Sequence, residues 1–221
     1  MASLALRSGT SQLAGAQRAR CSKRTPLRVA CSAGQVAPTS QYTRVRLKAR
    51  SDCELFVSWS PKFKYNALGG GGWGTVTDLG DGKLQLTFDP STLVIPDLSF
   101  RTAYLFGLLP IPPPLNIAIR PAELQGVLDT RTGEMNLSFK SDFHFSAGSF
   151  YVPPSLRVEC VLTTETSQGP KLGATGKRLV NNSGILVGSA PVSPVGDAFL
   201  DTFLQLPNDA LAVMSCDFFF E

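Results

Sequence analysis

Residues 134–145, EMNLSFKSDFHF, alternate apolar and polar side chains over the longest regular stretch of the chain. In an extended strand, alternate side chains point to opposite faces. The apolar set on one face is Met135, Leu137, Phe139, Phe143 and Phe145. A helix does not fit this pattern, because Lys140 and Phe143 would then share one face. The stretch therefore predicts a long β-strand with one face in a core.

The segments before this strand extend the pattern into hairpins. Residues 124–129 form a second strand, joined to the first by Thr130-Arg131-Thr132-Gly133. A second hairpin is predicted from 75–79 and 83–88, with Gly80-Asp81-Gly82 as a three-residue turn. Further strands are expected at 44–50, 53–59, 99–106, 115–119, 155–164, 185–192 and 210–220. The last strand is apolar on both faces, which favours a central or covered position.

Three other segments complete the predicted architecture. The glycine run at 69–74 and the polar stretch at 166–182 are expected to be loops, the latter with one strand near 177–180. A single helix is predicted near 197–205, with Asp197 as its N-cap and Pro207 ending it. About nine or ten antiparallel strands and one helix predict an all-β sandwich or barrel, formed by one domain over 43–221.

The first forty residues carry six Arg or Lys and no Asp or Glu, and they are rich in Ser and Ala. This composition is typical of an organelle transit peptide. Leu27-Arg28-Val29-Ala30-Cys31 resembles the processing sites of chloroplast stromal precursors, so cleavage after Ala30 is expected, with 31–42 as a flexible tail. The predicted location is the stroma or the stromal face of the thylakoid, with the mitochondrion as the alternative.

The sequence contains little that indicates catalysis. His144 is the only histidine, no C-x-x-C motif is present, and Cys53, Cys160 and Cys216 lie far apart beyond the leader. We therefore expect a protein that is not an enzyme and that uses no metal or other cofactor. Residues 41–221 hold 15 basic and 17 acidic groups, so the basic face that nucleic-acid binding needs is not expected.

Two apolar features indicate a partner or ligand contact. Residues 105–115, LFGLLPIPPPL, form a loop that is almost wholly apolar, whereas most loops are polar. Its prolines preset its shape and reduce the entropy lost on docking. The alternative is that it folds back over an open end of the domain. The candidate contact residues are Phe106, Leu108, Leu109, Ile111 and Pro113, with Trp73 beside the glycine run as a second candidate.

The segments 194–204 (PVGDAFLDTFL) and 206–213 (LPNDALAV), with the leader and the proline-rich loop, resemble a group of uncharacterised chloroplast proteins of green algae and plants. The resemblance covers most of 41–221 and implies a photosynthetic setting. A looser similarity is to the plastid lipid-associated proteins, or fibrillins, through the all-β pattern and Gly72-Trp73. That similarity implies a lipocalin-like barrel that binds apolar lipids.

Two functions follow as hypotheses. The first is a non-catalytic auxiliary factor that binds a thylakoid protein complex or the thylakoid surface and helps assembly or stability. The second is a carrier for a lipid, quinone or pigment, with Phe139, Phe143 and Phe145 on the wall of its interior. The carrier needs a cavity of about 300 Å³ or more, whereas an assembly factor is expected to have a packed core.

Overall fold

The computed structural model describes residues 42–57 and 63–221. The leader predicted at 1–30, its processing site and the tail to residue 41 lie outside the described residues, as do positions 58 and 59 of one predicted strand. The regular structure of the described chain is antiparallel β-sheet apart from one short helix, as the alternating patterns predicted.

The strands are β1 (Arg44–Ala49), β2 (Cys53–Val57), β3 (Phe63–Tyr65), β4 (Gly71–Gly80), β5 (Lys83–Phe88), β6 (Ala103–Leu105), β7 (Leu109–Pro110), β8 (Leu115–Asp129), β9 (Met135–Ala147), β10 (Leu156–Thr163), β11 (Thr166–Gln168), β12 (Gly173–Thr175), β13 (Lys177–Val180), β14 (Ser183–Val192) and β15 (Asn208–Phe220). The helix α1 spans Ala198–Phe203, between β14 and β15.

Eight of these strands close into a ring. Hydrogen bonding runs in the order β14, β10, β9, β8, β5, β4, β1 and β15, and β15 pairs back with β14. The sheet is therefore a barrel, one of the two predicted alternatives. The hydrogen-bonded pairing between β10 and β14 is the shortest in the ring, with Thr163 and Val187 as the paired residues. Elsewhere the pairing is extensive, above all between β8 and β9.

Strand β15 holds one side of the barrel together. Residues 208–217 of β15 pair with β14 over the whole length of β14, and the other edge of β15 pairs first with β2 and then with β1. β2 continues into β3, β6 and β7, which form a flap at one end of the barrel. The central position predicted for 210–220 is confirmed, since both of its edges are hydrogen bonded.

The register places two sets of connections at opposite ends. One end, which we call the mouth, holds three connections. They are the 106–114 loop before β8, which includes the two residues of β7, the 148–155 loop between β9 and β10, and the segment 193–207 between β14 and β15, which includes α1. The pairs Leu115 with Ala147 and Val192 with Asn208 mark it. At the other end, the closed end, the tight turns at Asp81-Gly82 and 130–134 join β4 to β5 and β8 to β9.

The closed half of the interior is filled by a large apolar cluster. Leu86, Met135 and Leu137 are fully buried there, together with Val45 and Phe218. Two smaller clusters flank the mouth half, one around Tyr65 and Ile111 and the other around Phe145 and Leu200. The mouth half is therefore lined by side chains without being filled by them.

The glycine run differs from the prediction of a flexible loop. Gly71 to Gly74 form the start of β4 and pair with β1. A Cβ on Gly72 would lie 2.9 Å from a methyl carbon of Leu93, and one on Gly71 would lie 2.0 Å from the Leu47 carbonyl oxygen. Glycine is needed in this strand because neighbouring chain segments approach its backbone closely.

Two further expectations are corrected by the structure. The stretch 166–182 is more ordered than the predicted loop, since it contains the β11–β12 hairpin. The one strand predicted there, near 177–180, is confirmed as β13, which pairs with β14. The β4–β5 hairpin has a two-residue turn instead of the predicted three-residue turn, because Gly80 already pairs with Lys83. Asp81 and Gly82 both have positive φ, at 52° and 76°, as a mirror-image turn requires.

The helix prediction is confirmed at its N-terminus. Asp197 is the N-cap of α1, and its carboxylate accepts a hydrogen bond from the Leu200 backbone N–H at 2.8 Å. Leu200 points into the protein and is almost fully buried. The single helix therefore anchors to the barrel interior at the mouth.

Candidate functional site

A cavity of about 600 Å³ occupies the mouth half of the barrel. Its floor is formed by side chains of the closed-end cluster, including Leu124, Phe139 and Leu186. Its lining continues to the mouth, where it includes Phe106, which is exposed to solvent. The interior of the barrel is therefore a deep pocket that reaches the surface at one end.

The cavity is chemically uniform. Among the described residues that line it, none is charged, and the sole hydroxyl belongs to Tyr65, which donates a hydrogen bond to the Pro96 carbonyl oxygen. Burial raises the pKa of Tyr65, so it remains a neutral phenol. A site of this kind excludes charged molecules, because an ion placed there would lose its hydration without gaining a partner.

Strand β9 supplies the aromatic wall predicted from its alternation. Phe139, Phe143 and Phe145 all line the cavity, together with small residues from β14 and β15 such as Ala190 and Ala212. Alanine side chains at these positions occupy little of the interior. The sequence predicted this wall, but the small residues of β14 and β15 were not part of the prediction.

Ser141 lies on the same inward face between Phe139 and Phe143, although it does not line the cavity. It pairs with Pro121 on β8 and Val158 on β10. In the described part of the chain, its Oγ is the one buried side-chain oxygen or nitrogen without a hydrogen-bond partner. A polar atom left in this state lowers stability.

The three cysteines of the described chain are free thiols. Burial raises the pKa of Cys53 and of Cys160 to about 11, and it raises the pKa of Cys216 further. All three remain protonated at neutral pH, and the thiolate is the reactive form of cysteine. Cys160 and Cys216 line the cavity as small apolar groups.

The mouth is built from loops that hold one another in place. The phenol of Tyr151, in the 148–155 loop, donates a 2.5 Å hydrogen bond to the Asp197 carboxylate. Its ring also meets Phe199 of α1 edge-on, with centroids 5.1 Å apart. Phe203, the last residue of α1, lines the cavity, as do Leu204 and Leu206 after it. The segment 197–206 therefore covers part of the cavity opening.

The structure brings together most of the residues predicted as contacts. Phe106, Leu108, Leu109 and Pro113 are exposed at the mouth. Ile111 is buried instead, at 3% exposure, and lines the cavity. The proline-rich loop thus combines the two predicted alternatives, since Ile111 covers the barrel end while its neighbours face solvent.

Trp73 does not belong to this site. It lies on the outer wall of β4, where the guanidinium carbons of Arg44 and Arg46 lie 4.5 and 5.1 Å from its ring centroid. These cation–π contacts account for its position on the barrel exterior. The contact role predicted for Trp73 is therefore separate from the mouth.

Several mouth residues were missed by sequence reasoning. Phe150 and Val152 are among the most exposed apolar side chains of the described chain, and Phe199 on α1 is also exposed. The available signal was the uncharged stretch 147–154, AGSFYVPP, which resembles the proline-rich loop in composition. Only the strand register shows that this stretch and the proline-rich loop lie at the same end of the barrel.

The residues with catalytic potential lie away from the cavity. His144 is exposed on the outward face of β9, and neither His144 nor Asp142 lines the cavity. Within 42–57 and 63–221, no group of three His, Cys, Asp or Glu side chains is placed to hold a metal ion. The chemistry that the cavity offers is apolar binding.

No known protein family, curated protein or solved structure matches this chain. In the described part of the chain, no helix is long and apolar enough to cross a bilayer.

Proposed function

We propose that this protein binds one apolar molecule inside the barrel and acts as its carrier. The observation that carries the proposal is the cavity of about 600 Å³ whose described lining has no charged side chain. This volume lies within the range of about 300–1,000 Å³ typical of small-molecule sites. A lipid, a quinone or a pigment has the required chemistry, provided that any charged group stays outside the mouth.

The carrier is favoured over the auxiliary factor for a thylakoid complex because the two hypotheses predict different interiors. A factor that acts only through its surface gains nothing from a hollow core, and apolar cavities lower stability. The exposed Leu108 and Leu109 still suit a protein partner, so the auxiliary-factor hypothesis stays a prediction. The chloroplast location likewise stays a prediction.

Direct binding of a fluorescent apolar probe to the purified protein tests the carrier. Ala212 lines the cavity, so Ala212→Phe is expected to fill part of it and weaken probe binding by about tenfold or more. The matched control is Val161→Phe, because Val161 is exposed on the outside of β10. Equal binding by both variants and the wild type would contradict the proposal.

The natural ligand and the compartment can be tested on one preparation. We expect an organic extract of the protein, purified gently from its source, to contain an apolar molecule in near-stoichiometric amount. Proteomics on the same eluate tests the auxiliary-factor hypothesis, and N-terminal sequencing tests processing after Ala30. A photosynthetic complex in the eluate without any extractable ligand would favour the factor over the carrier.

A further inference from the structure

Six exposed apolar side chains surround the cavity opening, and we call them the mouth rim: Phe106, Leu108, Leu109, Phe150, Val152 and Phe199. They stand on three separate segments, which are the 106–114 loop, the 148–155 loop and α1. Leu108 is 83% exposed and Phe150 is 92% exposed, so these side chains protrude from the surface. Large apolar side chains grouped this way on a protein surface mark an interaction site.

The two loops that carry most of the mouth rim contain no ionisable side chain apart from the Tyr151 phenol. Residues 105–115 and 147–154 include no Asp, Glu, Lys, Arg or His. The phenol of Tyr151 is itself bonded to Asp197. These loops therefore bring no charged side chain of their own into an apolar medium.

The backbone of the longer loop is equally suited to an apolar medium. Four of its positions are proline, which has no N–H to leave unpaired: 110, 112, 113 and 114. The N–H groups of Gly107, Leu108 and Ile111 donate to the carbonyl oxygens of Tyr104, Leu105 and Ala103. Few donors are left to lose water, and a free donor is the main penalty for irregular backbone in lipid.

The mouth rim is continuous with the cavity lining. Phe106 belongs to both, and Phe203, one helical turn after Phe199, lines the cavity and is partly exposed. An apolar molecule that fits the cavity dissolves in membrane lipid rather than in water. Its route into the cavity passes the mouth rim.

We propose that the mouth rim inserts into the surface of a lipid bilayer and sets the cavity opening against the membrane from which the ligand is taken. This inference rests on the proposed carrier function. A bilayer fits better than a protein partner, because the rim side chains stand on separate loops around an opening. A bilayer fills the spaces between such loops and leaves the opening in contact with lipid, whereas a protein partner would cover it.

Flotation with phosphatidylcholine vesicles tests the insertion. The double variant Leu108→Asp/Leu109→Asp is expected to lower vesicle binding by about tenfold or more, because two exposed leucines are replaced by charges. The matched control is Leu79→Asp/Val180→Asp, two exposed apolar residues beside turns at the closed end. Phe150→Asp, in the other loop, is a second variant in case the first fails to fold.

Binding through apolar insertion is expected to change little when the salt concentration is raised to about 1 M, because screening acts on charges. The inference is overturned if wild-type protein does not float with the vesicles, if the rim variants float as well as wild type, or if the control double loses binding equally. A wild-type protein that ignores vesicles but captures a membrane protein assigns the mouth rim to a protein partner.

Probe binding without vesicles separates this inference from the carrier itself. Leu108 and Leu109 do not line the cavity, so the rim double is expected to bind an apolar probe as wild type does. Transfer of the probe from vesicles to protein should slow by about the same factor as vesicle binding falls. Wild-type protein that floats but binds no probe would reject the carrier and retain the docking.

Discussion

The phenol oxygen of Tyr151 lies 2.5 Å from a carboxylate oxygen of Asp197, and this hydrogen bond joins two segments 46 residues apart. The same carboxylate oxygen accepts the Leu200 backbone N–H at 2.8 Å. Asp197 therefore caps α1 and fixes it to the 148–155 loop at once. Because Phe203, Leu204 and Leu206 line the cavity, this pair holds one side of the cavity opening in place.

Tyr151→Phe is expected to loosen the mouth while leaving the barrel intact. The variant keeps the ring that meets Phe199 but removes the hydroxyl that bonds Asp197. Hydrogen exchange at the backbone amides of 200–204 should become faster, and exchange in β9 and β15 should stay as in the wild type. Unchanged exchange in α1 would show that the Tyr151–Asp197 bond does not hold the mouth.

Acid is expected to weaken the same contact. The hydrogen bond from Tyr151, followed by that from the Leu200 N–H, lowers the pKa of Asp197 below its usual 3.8. A carboxylate whose pKa is lowered by folding stabilises the folded state above its unfolded pKa, and this stabilisation disappears as the pH falls through the folded value. Exchange of the α1 amides should therefore rise as the pH falls below about 3.8, after correction for the intrinsic exchange rate.

Comparison with the Tyr151→Phe variant isolates the contribution of the phenol. The hydrogen bond from Tyr151 is the largest cause of the lowered Asp197 pKa, so this pKa should be higher in the variant than in the wild type. The variant should therefore lose protection of the α1 amides at a higher pH. An identical pH dependence in both proteins would assign the acid effect to other carboxylates, such as Asp217, whose pKa is lowered chiefly by the hydrogen bond from Arg50.

Ser141→Ala is expected to stabilise the protein. The hydroxyl of Ser141 is buried and lacks a hydrogen-bond partner, and Ser141 as a whole is 1% exposed. Removing an unsatisfied polar atom should raise the free energy of unfolding by about 1 kcal/mol. Urea denaturation measures the change, and a loss of stability of similar size would show that Ser141 has a partner in solution.

The sequence predicted the strands where one face of the sheet is buried and the other meets water. In β9 the alternation of Met135, Leu137 and Phe139 with polar residues is regular, so the strand and its inward face could both be assigned. Ser141 also lies at an inward position of this strand, but its polar side chain did not indicate that it would be buried. Alternation identifies a face but does not show what lies across from it.

The sequence could not predict the features that depend on distant parts of the chain. From the sequence alone, Gly71 and Gly72 indicate a flexible segment. In the structure, Leu47 and Leu93 lie against their backbone. The cavity is equally non-local, because the β9 phenylalanines line it together with small residues from a distant segment, such as Ala212 on β15. The proline-rich loop was recognised from its composition. The role of the 148–155 loop became evident only from the strand register, which places it at the same end of the barrel.

Gly126→Ala is expected to damage the main hairpin. A Cβ on Gly126 would lie 1.9 Å from the Asn136 carbonyl oxygen and 2.7 Å from the Leu137 Cα, both backbone atoms of β9. Backbone atoms cannot move aside as a flexible side chain does, so the free energy of unfolding should fall by about 2 kcal/mol or more. Gly80→Ala provides a comparison in which no atom lies within 4 Å, although its φ of +83° adds backbone strain. A smaller loss at Gly126 than at Gly80 would contradict the close approach of β8 and β9.

The two halves of the barrel interior should respond differently to truncation of a leucine. Leu86 lies in the closed-end cluster and has no exposed surface, so Leu86→Ala should lower the free energy of unfolding by about 3 kcal/mol through lost burial and a new void. Leu115 lines the existing cavity and is only partly buried, so Leu115→Ala removes fewer contacts and should lower it by about 1 kcal/mol. Because Leu115→Ala also enlarges the cavity, its affinity for a bulkier apolar probe should rise relative to that of the wild type. Chemical denaturation and probe titration of the two variants measure both effects, and equal losses of stability would mean that the mouth half is packed as tightly as the closed half.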